Sequence, residues 1–203
     1  MGLKREHAIF LSAGVPDREK RHYMGEADTA AISAVVSALL YVALGRRPII
    51  WGGHPAITPM VWAYAEGLGV DYGEWVTLYQ SDFFNEDFPE ENKRFANVVV
   101  TESIEDNLGL SLEHMRRQML AENSFDAAIF AGGMRGIFDE YYMLMELAPT
   151  TTVIPIVSTG GAAAALGGEL HVAEDLTKEL DYVSLLFDKL AIDPSQPRAK
   201  LTV

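Results

Sequence analysis

Six short apolar runs alternate with stretches of helical periodicity along most of the chain, and that alternation limits its architecture more than any other feature. The runs are residues 7–12 (HAIFLS), 48–51 (PIIW), 75–79 (WVTLY), 97–101 (NVVVT), 126–130 (DAAIF) and 152–157 (TVIPIV). Several are continuously apolar instead of alternating, the pattern of strands covered on both faces, as in a parallel sheet. Between them, residues 28–44 set Ile32, Val35, Val36, Leu39, Leu40 and Ala43 on one helical face. Further helices are expected over 57–67, 104–122 with Gly109 as a candidate kink, 137–148 ending before Pro149, and 176–190. Strands and helices in turn predict an α/β fold, a doubly wound and mostly parallel sheet of about six to seven strands flanked by helices.

The 203 residues suit one such domain over 1–203. At 49% hydrophobic and 22% charged residues a folded globule is expected. The chain has no cysteine, which excludes disulfides, thiolate chemistry and cysteine zinc sites. The first residues are charged and lead into only a short apolar run before Pro16, so no secretory signal is expected. The longest apolar stretch, 30–44, is interrupted by Ser33 and Ser37 and is too short for a membrane span. A cytoplasmic protein without membrane contact follows as the expectation. A formal net charge of −13 repels polyanions and disfavours nucleic acid as a partner. Small anions remain compatible, because local amides and one or two arginines hold a phosphate whatever the global charge.

Ligands of open parallel sheets bind beyond the carboxyl ends of the strands, so the chemistry is sought there. After the first strand, Ser12, Ala13 and Gly14 offer backbone N–H groups and a hydroxyl, or simply a turn. After the second, WGGHPAITP places Gly52 and Gly53 before a helix start, where main chain and phosphate can meet. His54 stands there either as a ligand-binding or acid–base group or as a hydrogen-bonding residue of the loop. No second histidine or carboxylate lies at a metal-ligand spacing such as HExxH, so no metal is expected. In the helix SLEHMRRQML, Arg116 and Arg117 point about 100° apart, and one of them faces the sheet edge, where it clamps a phosphate or pairs with Glu113.

The fifth strand runs into AGGMRGIFDE. Gly132, Gly133 and Gly136, with Met134 and Arg135 between them, allow close main-chain approach. Asp139 and Glu140 follow in the first helical turn. Acids there are favoured by about 0.3–1 kcal/mol, which explains one carboxylate better than two beside three glycines. The conflict between acid and anion disappears if a carboxylate faces sugar hydroxyls while the amides face a phosphate. After the sixth strand, Ser158 and Thr159 are ligand-binding candidates, and either is a candidate cap for a small-residue helix. Residues 81–95, acidic and aromatic, fit neither period and form a long loop, either a lid or plain surface. The chain beyond Ile192 is expected to fray or to dock on a partner. GxGxxG, Walker and GxSxG patterns are absent.

DAAIF followed by AGGMRGIFDE resembles the signature of the LOG (Lonely guy) phosphoribohydrolases, in which a DA-containing strand enters PGGxGTxxE. Here Ala131 replaces the proline, one residue is added at Met134 or Arg135, and Ile137 replaces the threonine. MRRQM is similar to the arginine-bearing helix of that family, IFLSAG to its opening strand and turn, and WGGHPAITP to its second glycine loop. On these residues the chain is identified as a member of the wider SLOG superfamily, which unites the SMF/DprA and LOG proteins, and looks closest to its stand-alone, sensor-type branch. The resemblance implies a Rossmann-like sheet, a small nucleotide-derived ligand, no cofactor and a homodimer. Carried over residue by residue, the glycosidase pair is Glu140 with Arg116 or Arg117.

Three functional expectations follow. In the first, the chain binds a nucleoside phosphate or a relative of ADP-ribose or NAD, with Ser12 and the glycine loops as main-chain contacts, Arg116 on phosphate and Glu140 on ribose. In the second it is an N-ribosyl hydrolase, with Glu140 stabilising an oxocarbenium-like sugar or orienting water. In the third it is a non-catalytic partner-binding domain that uses the loop 81–95.

Overall fold

The computed structural model describes residues 7–19, 23–70 and 72–199. Its strands are β1 (Ala8–Gly14), β2 (Ile49–Trp51), β3 (Val76–Ser81), β4 (Asn97–Thr101), β5 (Phe125–Gly132) and β6 (Thr152–Ile156). They form a single sheet in the order β4-β3-β2-β1-β5-β6, every neighbouring pair parallel. This is the α/β, Rossmann-like arrangement anticipated from the apolar runs. Strand order reverses between β1 and β5, whose ends pair Gly14 with Gly132. That reversal opens the crevice in which sheets of this kind hold ligands.

Both faces of the central strands are covered, which is why β1, β2 and β5 are almost wholly apolar. Ile9 and Leu11 of β1 look into one core layer, with Ile32, Val36 and Leu39 of α1 (Thr29–Ala43). Ala8 and Phe10 look into the other, with Met115 and Met119 of α4 (Leu108–Glu122) and Ile137 of α5 (Gly136–Leu147). Helix α2 (Thr58–Gly67) covers the first layer, and α6 (Gly161–Glu169) the second. A short α3 (Tyr72–Trp75) leads into β3. Pro155 sits in β6, an edge strand, where its missing N–H breaks no ladder.

Several local expectations need correction. The helix expected from 104 begins at Leu108, because Glu105 and Asp106 adopt left-handed φ of 52° and 50° and the Asn107 side chain caps Leu110. Gly109 therefore lies in the first turn and kinks nothing. The helix expected over 176–190 is two, α7 (Glu174–Lys178) and α8 (Tyr182–Lys189). Between them the Glu179 carboxylate accepts from Leu180 and Asp181 N–H, and Asp181 caps α8 through Ser184. The loop 81–95 holds two 3₁₀ turns, Asp82–Asp87 and Glu90–Arg94. The segment beyond Ile192 docks on its own chain: Arg46 donates to Gln196 O, and Arg198 to Leu44 O and Tyr41 O. No helix among the described residues is long and apolar enough to cross a membrane.

Candidate functional site

The ends of β1 and β5 are stitched together by backbone. Gly133 N–H donates to Gly14 O at 2.6 Å, and Ala162 N–H donates to Gly133 O at 3.0 Å. Such contact requires Gly132 to turn at φ 58°, and a Cβ on it would stand 2.3 Å from Ile32 Cδ1 and 2.6 Å from Gly14 O. The Thr159 hydroxyl accepts from Gly132 N–H and donates to Ile156 O. Thr159 thus braces this turn and caps no helix; the N-cap of α6 is Gly160, without a side-chain cap.

Helix α5 starts where this stitching ends, and its first turn is already closed by backbone: Ile137 N–H donates to Met134 O at 2.9 Å and Phe138 N–H to Arg135 O at 3.0 Å. Glu140 lies one turn in, its side chain 13% exposed. It accepts from Ser12 Oγ at 2.5 Å and from Arg116 Nε at 3.1 Å. Arg116, 14% exposed, reaches across from α4 and also pairs with Asp139 at 3.5 Å. A Cβ on Gly136 would come within 2.6 Å of Arg116 Nη2. Gly136 is therefore what allows the guanidinium to lie over the start of α5. Arg117 points elsewhere, pairing with Glu113 at 3.1 Å and Glu146 at 3.3 Å on the exposed face. Of the two arginines, Arg116 is the one at the sheet edge.

On the far side of β1, the loop after β2 turns at Gly53 with φ 63°, and Gln80 Nε2 donates to Gly53 O at 2.9 Å. His54 Nδ1 accepts from Ala56 N–H at 3.2 Å. Its carbonyl accepts from Ile57 and Thr58 N–H, starting α2. Burial lowers the His54 pKa below the usual histidine value.

These parts surround a cavity of about 410 Å³. Ser12, Ala13, Gly14, Gly52, Gly53 and His54 line it from the first two strand ends. Gly133, Met134, Gly136 and Glu140 line it from β5 and α5, with Arg116 from α4. Gly132, Arg135, Ser158 and Thr159 lie outside the lining. Arg135 pairs with Asp139 at 3.4 Å, and Ser158 Oγ meets Tyr182 OH at 3.0 Å. Residues not singled out from the sequence complete the wall: Phe84, Asp87 and Phe88 of the loop 81–95, and Leu108, Leu112 and Met115 of α4. The aromatic content of that loop was the available signal. Among the described residues no three or more histidine, aspartate or glutamate side chains are grouped to hold a metal ion.

The arrangement has distinct chemical surfaces. Glu140 is an acceptor held by two donors, suited to sugar hydroxyls or to a developing positive charge. The start of α5 carries the positive end of the helix dipole, which favours an anion. The loop and α4 supply an apolar, aromatic wall. A model of the SLOG cluster3 family matches residues 22–190. Among solved structures, the X-ray structure of TM1055, a structural-genomics target, is similar with a TM-score of 0.52 and 16% sequence identity, covering 84% of this chain and 84% of that one. At that identity the likeness speaks for the fold. No curated protein matches the chain.

Proposed function

The chain belongs to the SLOG cluster3 family, and on that premise we propose that it binds a nucleotide-derived ligand in the cavity at the strand ends. The observation that carries this reading is the convergence of Ser12, Arg116 and Glu140 beside the start of α5, opposite an aromatic wall. The ribose hydroxyls donate to Glu140. The base packs against Phe84, Phe88 and Met115. A phosphate sits at the N-terminal end of α5, where the helix dipole favours an anion, because the charge of Arg116 is already matched by Glu140 and Asp139. A homodimer, implied by the resemblance to LOG proteins, is proposed with it and is checked by light scattering.

A second reading is favoured by one feature, a part-buried carboxylate–guanidinium pair inside the cavity. In an N-ribosyl hydrolase, the C–N glycosidic bond breaks with its electron pair leaving on the base. Water then adds to the anomeric carbon, and its proton balances the departing base. Glu140 stabilises the positive sugar and orients the water, and Arg116 holds Glu140 in place.

A thermal-shift screen with AMP, CMP, NAD, ADP-ribose and cyclic ADP-ribose, each mixture assayed for free base, separates the readings. A ligand at 100 times its Kd stabilises the fold by about 2.7 kcal/mol. A shift without base release supports the binding module. A shift with base release that Glu140→Gln abolishes supports the hydrolase. No shift with any compound overturns both.

A further inference from the structure

His54 is tied to its own loop by only one ring nitrogen. Nδ1 accepts the Ala56 N–H at 3.2 Å, so it carries a lone pair, and the ring proton resides on Nε2. The Cδ2–Nε2 edge lies against the end of β1. A Cβ added to Gly14 would stand 3.1 Å from Cδ2 and 3.3 Å from Nε2. His54 and Gly14 both line the cavity, at the reversal between β1 and β5, together with Ser12 and Glu140. No described residue accepts from Nε2–H. The loop therefore holds an uncharged donor in a cavity where the donors Ser12 and Arg116 are already turned onto Glu140, which can only accept.

We propose that His54 is a specificity-determining residue of this site, donating its Nε2–H to an acceptor oxygen of the ligand's sugar or phosphoryl group. The assignment rests on the proposed nucleotide-type ligand and deepens it, because it names a contact that the glycine loops and the Arg116–Glu140 pair do not provide. Burial keeps the ring in its neutral form, in which Nδ1 can serve Ala56 while Nε2–H serves the ligand. A ring present only to start α2 needs Nδ1 and has no use for a proton on Nε2. The two roles use opposite atoms and can be separated by substitution.

His54→Asn places an amide oxygen near the position of Nδ1, keeping an acceptor for Ala56 N–H but no donor at the Nε2 position. His54→Gln extends an amide nitrogen toward the Nε2 position and gives up the loop acceptor. Binding of AMP and of ADP-ribose is measured by calorimetry on the full chain and both variants, with melting temperatures recorded alongside. The expected result is about tenfold weaker binding for His54→Asn at unchanged melting temperature, the loss of one hydrogen bond. His54→Gln is expected to bind within about threefold of the parent while melting lower. Long-range ¹H–¹⁵N spectra of the ligand-free chain are expected to show the Nε2–H tautomer. Parent-like binding by a folded His54→Asn, or an Nδ1–H tautomer, overturns the assignment alone. A parent chain that binds neither probe overturns the proposed ligand class, and the assignment falls with it.

Discussion

Gly132 turns at φ 58° against two fixed neighbours, Ile32 Cδ1 and Gly14 O, so a methyl group there meets both backbone strain and a clash. Gly132→Ala is expected to destabilise the fold by about 2–4 kcal/mol, read from the midpoint of urea unfolding. The effect is structural, because Gly132 lies outside the cavity lining. Gly136 differs: it makes room for Arg116, so its replacement acts on the site through the guanidinium. His54 carries a pH signature. Its folded pKa lies below the ordinary 6.5, so the unfolded chain takes up the proton first as pH falls. Its contribution is intact above that ordinary value and is lost as pH drops from there toward the depressed folded value. Melting temperatures from about pH 7.5 to about pH 5.5 should decline, and the decline should be shallower in His54→Gln.

The two 3₁₀ turns between β3 and β4 behave as one element. Phe95 contacts Trp51 edge-on at 5.1 Å, and the Arg94 guanidinium lies 5.6 Å from the centre of the Trp62 ring. These contacts anchor the far end of the segment, while Phe84 and Phe88, both half-buried, wall the cavity. Replacing both by alanine should weaken binding of a base-bearing ligand by about tenfold or more, since base–aromatic stacking is worth about 1–3 kcal/mol. The melting temperature of the ligand-free chain should barely move, and calorimetry beside thermal unfolding checks both halves. Helices α4 and α5 form a second such unit, joined through Arg116 to Asp139 and Glu140. Arg116→Ala leaves Glu140 largely buried with only Ser12 as donor, at a cost of about 1–3 kcal/mol in unfolding free energy.

For the chain as a whole, the end of α1 depends on residues more than 150 positions away. Helix α1 has no basic residue in its last turn. Arg46 and Arg198 supply the missing cations and donate to Tyr41, Val42 and Leu44 carbonyls, and Arg198 stacks on the Tyr41 ring at 5.0 Å. Burial pushes the Arg198 pKa down, with the neighbouring Arg46 charge adding to the effect. Arg198→Ala should release residues 193–199 from α1 and cost about 1–2 kcal/mol, read as faster amide exchange in the last turn of α1 and a lower unfolding midpoint.

The α/β class was legible because strands buried on both faces need unbroken apolar runs, and because a 3.6-residue period needs no partner to be seen. The glycine loops were legible too, though not their purpose. Gly160 and Gly161 pack backbone on backbone, whereas Gly14, Gly52, Gly53, Gly133 and Gly136 reach the cavity. Spacing along the chain cannot distinguish these cases, because the atoms a Cβ would meet belong to distant segments. The choice of Arg116 over Arg117 waited on the orientation of α4 against α5. The joining of Ser12 to Glu140, 128 positions apart, waited on the pairing of β1 with β5. Local propensity acts over a few residues and writes the elements into the sequence, while the site is made of contacts that exist only once the sheet has assembled.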